Sequence, residues 1–285
     1  MILITGSSSY LGKNLIDSFE KDKIPYLGID LKKPYTSKCI KLDIFEDNLI
    51  KKIKKKITKI VHLAAISRDQ ESKININKCY DINIFGTINL LNFAKEKKVQ
   101  KFVFASTEWV YGDFKKKKSY KSTINLSKLK SHYSISKAIC EKLIIKNKNL
   151  NYSILRFGII YGKKQSNFSA VESIVNQVKK KNIIKINSKK TARSFIHIDD
   201  IINSIRLSLS YKKNGIFDIQ GDKLINLEKI IKITSKLLFK KIKILEFNKE
   251  NPSRRVINSN MSHKKLKFTP KTSIKEGINL ILNNE

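Results

Sequence analysis

Tyr133 and Lys137 stand four residues apart in Ser-His-Tyr-Ser-Ile-Ser-Lys. On a helix, residues i and i+4 share one face, so this spacing brings a phenol and an ammonium into one small volume. The cation favours phenolate and is expected to draw the Tyr133 pKa down from its ordinary ~10. A tyrosine acidified in this way exchanges a proton with a sugar or alcohol hydroxyl while a hydride moves elsewhere. Tyr-x-x-x-Lys is common in a lysine-rich chain, so the pair takes its weight from the residues that precede it.

Near the N-terminus runs Thr5-Gly6-Ser7-Ser8-Ser9-Tyr10-Leu11-Gly12. Gly6 permits a tight strand-to-helix turn and Gly12 a close helix–strand approach. The helix that follows presents free N–H groups and a partial positive charge to a pyrophosphate. Ser9 stands where such loops usually carry a middle glycine, and its Cβ narrows the backbone approach; an ordinary Gly-bounded turn is the plainer alternative. Asp30 follows about 20 residues after the glycines, where a carboxylate meets ribose hydroxyls. A carboxylate there repels a 2′-phosphate, which favours NAD. Lys32 and Lys33 offset that repulsion and leave NADP open.

These residues need elements to position them. Short apolar runs at Ile2–Thr5, Pro25–Asp30, Lys38–Leu42, Lys59–Leu63, Lys101–Ala105 and Tyr152–Arg156 predict six strands. Helical periodicity covers Leu11–Lys21, Phe45–Lys55, Ile74–Lys97 and Ser131–Asn147. This alternation predicts an α/β fold, a doubly wound parallel sheet covered on both faces. Beyond it, helices are expected at Phe168–Lys180, Asp199–Ser210, Leu227–Leu238 and Ser273–Leu282, and short strands at Ile183–Ile186, Ile216–Ile219 and Lys241–Glu246. We read residues 1–160 as one domain and 161–285 as a smaller α/β substrate domain, partly interwoven with the sheet. The Lys115–Lys118 run reads as a solvated loop, with phosphate binding as its alternative.

A chain of 285 residues with 41% hydrophobic content can bury a large core and is globular in composition. Its formal net charge of +35 raises nucleic-acid binding. The charge is nearly all lysine, however, with arginine at only 68, 156, 193, 206, 254 and 255. Specific nucleic-acid recognition leans on arginine forks, so compositional drift is the simpler account and electrostatic attraction of an anionic substrate the alternative. Cys39, Cys79 and Cys140 are odd in number and widely spaced, which fits buried thiols in a reducing cytoplasmic setting. No apolar run reaches the ~18 residues of a membrane span, and no His/Cys/acid spacing suggests a metal.

In their order the motifs resemble the extended short-chain dehydrogenases, the NAD-dependent epimerase/dehydratase group that acts mostly on nucleotide sugars. Thr5–Gly12 is similar to the family's glycine loop, Asp43-Ile44 to its adenine-contacting pair and His62-Leu63-Ala64-Ala65 to its fourth-strand motif. Asn83 to Leu91 resembles its long-helix motif, and Ala105-Ser106-Thr107-Glu108-Trp109-Val110-Tyr111-Gly112 the loop after strand five. Leu155-Arg156, Tyr161-Gly162 and Arg193 to Asp200 complete the series. The resemblance implies a Rossmann domain in which Tyr133 is the general acid/base, Lys137 holds the nicotinamide ribose and Thr107 aligns the reacting oxygen. It implies cofactor contacts from Gly6, Ser8, Ser9, Tyr10, Leu11, Gly12, Asp30, Asp43, Ile44, Leu63, Ala64 and Ala65. Ser106 and Glu108 would join Thr107 at the substrate, with Arg193 and Arg255 at its diphosphate. Asn83 is read either as a brace within its helix or as a cofactor contact. A homodimer through Ile74–Lys97 and Ser131–Asn147 stays open, as do a keto-sugar or small-carbonyl reductase and a non-catalytic dinucleotide- or RNA-binding module. The chain departs from the family at Trp109, where dehydratases carry a second acid, and an indole is no base. It departs again at Ile159, where an Asn often touches the diphosphate.

Overall fold

The computed structural model describes residues 1–46, 49–114, 116–164, 166 and 168–283. Strands β1 (Ile2–Thr5), β2 (Tyr26–Asp30), β3 (Cys39–Lys41), β4 (Lys59–His62) and β5 (Lys101–Thr107) join Tyr152–Phe157 and Gly215–Ile219 in one seven-stranded sheet. The spatial order is Gly215–Ile219, Tyr152–Phe157, β5, β4, β1, β2, β3. Where the register is defined the pairs are parallel: Ile2 lies opposite Tyr26 and Lys59, Gly28 opposite Cys39, and Lys59 opposite Lys101. The order reverses between β1 and β4. Open α/β sheets bind ligands at that reversal, outside the carboxyl ends of the strands.

Both faces of a parallel sheet are covered, so its strands read as continuous apolar runs. All of β1 and all of β5 are buried. The helix Tyr10–Lys21 covers the sheet with Leu15, Ile16 and Phe19. The expected long helix is a broken series: Asp69–Ile74, Ile76–Tyr80, one π turn at Asp81–Phe85, then Gly86–Glu96. Asn75 caps the second piece, its side chain accepting from the Lys78 amide. The expected Phe45–Lys55 helix is a short turn at Leu49–Lys52 that buries Leu49, with Ile53 buried just past its end; residues 47–48 lie outside the described residues.

The chain divides into two compact units. One comprises Met1–Asp113, Tyr120–Arg156 and Ile202–Phe217; the other comprises Phe114–Ser119, Phe157–Ile201 and Asp218–Glu285. The first is built on a core of sheet and helix side chains that includes Leu3, Ile60, Phe102 and Ile154. The second packs Ala170–Lys180, Leu227–Leu237 and Ile274–Asn283 around Val175, Ile230 and Ile278. Its strand Lys243–Glu246 pairs in parallel with Ile183–Ile186. Lys118–Ser119 pairs with Ile257–Asn258, so this end of the lysine run is a strand; Lys115 lies outside the described residues. Among the described residues, no helix is long and apolar enough to cross a membrane.

Candidate active site

Two elements of the first unit converge at the carboxyl edge of the sheet. Thr107 ends β5 and caps the short turn Glu108–Tyr111, its Oγ1 accepting the Trp109 amide at 3.2 Å. The helix His132–Lys146 starts at Ser131, whose side chain accepts the Ser134 amide at 3.1 Å. Tyr133 and Lys137 occupy successive turns of that helix. The Thr107 hydroxyl lies beside the Tyr133 phenol and favours its ionised form.

Burial nonetheless pushes the phenol up to about 12, and the Cys79 thiol adds to the rise. The expected acidification by Lys137 is thus reversed. Its physical reason is the phenol's own loss of water; Lys137 is buried too, its ammonium 4.4 Å from the centre of the Phe104 ring. Burial brings that amine down to about 8, against opposing contributions from Cys140, Glu141 and Cys79.

A buried ion pair lies behind the trio. Arg156 donates from Nε to Glu141 Oε1 at 2.9 Å and from Nη2 to Oε2 at 2.5 Å. Its Nη1 donates to the Tyr111 hydroxyl at 2.8 Å. Ser106 Oγ donates to Glu141 Oε1 at 2.5 Å. Ser106, expected beside the substrate, is therefore committed to Glu141. Glu108 is buried just past the end of β5.

At the cofactor end, Gly6 has φ +72°, and a Cβ there would lie 2.7 Å from the Ala64 amide nitrogen. A Cβ on Gly12 would lie 2.2 Å from the Gly6 carbonyl oxygen. Ser9 folds its side chain back into the turn, donating to Gly6 O at 2.7 Å and accepting from Gly12 N at 3.0 Å. The serine thus acts as helix cap and does not crowd the loop mouth. Asp30 accepts the Ser8 amide at Oδ2 and the Lys32 amide at Oδ1, both at 2.9 Å. Ser8, Tyr10, Leu11 and Asp30 are half-buried around this turn. Asp43 accepts the Phe45 amide, and Ile44 fills the space that a Cβ on Gly86 would take.

A polar string joins this loop to the helices, and its proton order is fixed. Thr87 donates to Asn83 O, so its oxygen accepts from His62 Nε2 at 2.9 Å. His62 Nδ1 then accepts from Thr5 Oγ1 at 2.7 Å, and Thr5 accepts the Ala64 amide at 3.2 Å. Burial, aided by the Lys137 charge, holds His62 well below the usual imidazole range. Leu63 N donates to Thr5 O, and Leu63, Ala64 and Ala65 are half-buried. Asn83, on the π turn, accepts the Ile66 amide at 2.8 Å and donates to Ile66 O and Ser136 Oγ. It braces the loop after β4 against the Tyr133 helix and also donates to Cys79 Sγ, four residues back along its own helical series. π turns are frequent at functional sites.

Arg193 and Arg255 lie in the second unit. Arg193 donates from Nη1 to Ala192 O and Ser253 O, and from Nη2 to Ser253 Oγ. Arg255 donates its amide to Ala192 O, and its guanidinium is buried 5.6 Å from the Phe114 ring centre. Glu141 was not singled out in the sequence, and Tyr111, Thr5 and Thr87 stood within motifs without a role of their own. The one available signal was Glu141, four residues after Lys137 on the same helical face.

The NAD dependent epimerase/dehydratase family model matches residues 2–219, and the chain belongs to that family. UDP-glucuronate 4-epimerase of Thermodesulfobacterium geofontis is 27% identical over 99% of this chain and 94% of its own length. The dTDP-D-glucose 4,6-dehydratase of Dictyostelium discoideum is 30% identical over 78% of this chain and 58% of its own. UDP-glucuronic acid 4-epimerase from Bacillus cereus, solved with UDP-glucuronic acid and NAD, has a TM-score of 0.84 at 24% identity, covering 100% of this chain and 99% of that one.

Proposed function

We propose that the chain binds NAD and, as an epimerase, inverts a hydroxyl-bearing carbon on the sugar of a nucleotide sugar by oxidising it to a ketone and reducing it again from the opposite face. The observation that carries this reading is that Thr107, at the end of β5, stands beside the Tyr133 phenol, with Lys137 one turn further along the same helix.

The residues present suit a dinucleotide. The left-handed Gly6 and its contact with the Ala64 backbone exclude any side chain from the turn at the end of β1. Ser8, Ser9, Tyr10 and Leu11 bring the helix N-terminus to a pyrophosphate, and Asp30 offers its carboxylate to ribose hydroxyls. Asp43 and Ile44 would bound the adenine, and Leu63, Ala64 and Ala65 the ribose side of the crevice. NAD, when bound, supplies the hydride acceptor and a positive ring. That charge would favour phenolate against the burial and the Cys79 thiol that hold the Tyr133 pKa high.

Tyr133 removes the proton of the substrate hydroxyl at its phenolic oxygen and returns it in the reverse step. Thr107 offers its hydroxyl to the reacting oxygen and helps align it beside the phenol. Lys137 holds the nicotinamide ribose with its ammonium. Arg193 and Arg255 are assigned to the diphosphate, a task suited to guanidinium forks. UDP-glucuronate is the first substrate to try, since similar proteins are named for it. Dehydration is disfavoured because the residue after Glu108 is Trp109.

Tyr133→Phe is expected to lower turnover of UDP-glucuronic acid about 100- to 10,000-fold while NAD binding by calorimetry stays within about twofold of wild type. Equal turnover in wild type and variant refutes the acid/base assignment. A protein that purifies with retained NAD and equilibrates the two 4-epimers supports epimerisation. Stoichiometric formation of NADH supports the dehydrogenase alternative, and stoichiometric consumption of NADPH the reductase one.

A further inference from the structure

The proton-transfer trio is divided between two elements, Thr107 on β5 and Tyr133 with Lys137 on a helix. Something must hold a strand end against a helix closely enough for one hydroxyl to meet another. The buried cluster behind them has the right connections. Glu141 is on the same helix, one turn past Lys137. Its carboxylate takes the hydroxyl of Ser106, the residue immediately before Thr107. Arg156, on the neighbouring strand, clamps both carboxylate oxygens and reaches the Tyr111 hydroxyl in the turn immediately after Thr107. The Arg156 guanidinium also lies 4.9 Å from the Tyr111 ring centre. Thr107 is thus bracketed on both sides by groups tied to one carboxylate and its counter-ion.

The cluster is dry. Relative exposures are 3% for Ser106, 1% for Glu141, 2% for Arg156 and 6% for Tyr111. A buried ion pair seldom stabilises a fold more than apolar side chains of the same volume would. Its return lies in fixed geometry, since a carboxylate and a guanidinium accept few alternative arrangements.

We infer that Glu141, acting through Ser106 and Arg156, is a positioning residue that sets the register of Thr107 against Tyr133. The inference rests on the proposed role of Tyr133, so that role is tested beside it. Ser106→Ala removes one clamp and leaves the ion pair intact. Glu141→Leu with Arg156→Met removes the pair without leaving a lone buried charge. Ser106→Thr restores the hydroxyl.

The primary readout is the phenol titration of Tyr133 by ultraviolet difference spectroscopy in the NAD-loaded protein, taken against Tyr133→Phe. Loss of register moves the Thr107 hydroxyl that favours phenolate away from the phenol. Ser106→Ala and the double variant are therefore expected to titrate at higher pH than wild type, and Ser106→Thr at the wild-type pH. Turnover of UDP-glucuronic acid is expected to fall on the order of 10- to 100-fold in the first two, with NAD affinity unchanged. Superimposable titrations in wild type, Ser106→Ala and the double variant overturn the inference, even with Tyr133→Phe inactive. A Tyr133→Phe protein that turns over normally strikes instead at the acid/base reading.

Discussion

The two ends of the candidate site are built by opposite means. The glycine loop uses backbone and short side chains: a buried Gly6, half-buried Ser8 and Ser9, and the half-buried Asp30 carboxylate bound to two amides. The Tyr133 corner is built from charges taken out of water, namely Lys137, Glu141 and Arg156, with a neutral His62 beside them. A cradle for phosphate needs only N–H groups and room, which a short stretch of chain supplies. A proton-transfer site needs shifted affinities, and those come from desolvation and partners distant in sequence.

The contrast can be broken most forcefully at the charged corner. Arg156→Met alone strands the Glu141 carboxylate and is expected to destabilise the first unit by about 3–5 kcal/mol in urea unfolding. Adding Glu141→Leu should recover most of that loss. If the single variant is as stable as wild type, the corner is not held by its charges.

The loop is expected to respond less to a substitution and to show it in binding. Gly6→Ala puts a Cβ on a residue at φ +72° and against the Ala64 backbone. We expect NAD affinity to fall on the order of tenfold, about 1.4 kcal/mol, with a stability loss of about 1–3 kcal/mol. Unchanged NAD binding by calorimetry would remove this turn from the cofactor site.

The smallest effect concerns buried amines away from the trio. Lys101 begins β5, donates to Lys213 O at 3.2 Å, and is lowered by burial to about 8 from 10.5, with Lys59 contributing. Between about 8 and 10.5 the unfolded chain then binds more protons at this residue, so its contribution to stability rises with pH. Lys101→Met should therefore be most favourable relative to wild type below pH 8 and lose that advantage as pH approaches 10. Thermal midpoints of the two proteins at pH 7 and 10 check the sign. A gap that widens with pH contradicts it.

Local pattern was enough for the glycine loop, the strand alternation and the Tyr133/Lys137 spacing, because each is a matter of neighbours along the chain. It failed where burial decides. The phenol rises when its neighbouring ammonium had been expected to lower it, since the phenol itself loses water. Ser106 reads as a substrate helper until Glu141, 35 residues away, is seen to hold its hydroxyl. Asn83 was legible only as a brace or a contact. The π turn turns it toward Ile66 and Ser136 on different elements.

The amino-acid order by itself determined which groups could do chemistry and on what kind of element each would sit, because helical and strand periods follow from the backbone alone. Tertiary packing decided which of those groups meet, which stay charged and which carry structure only. Proton affinity and hydrogen-bond partnership depend on the water that folding removes and on side chains that only folding brings near.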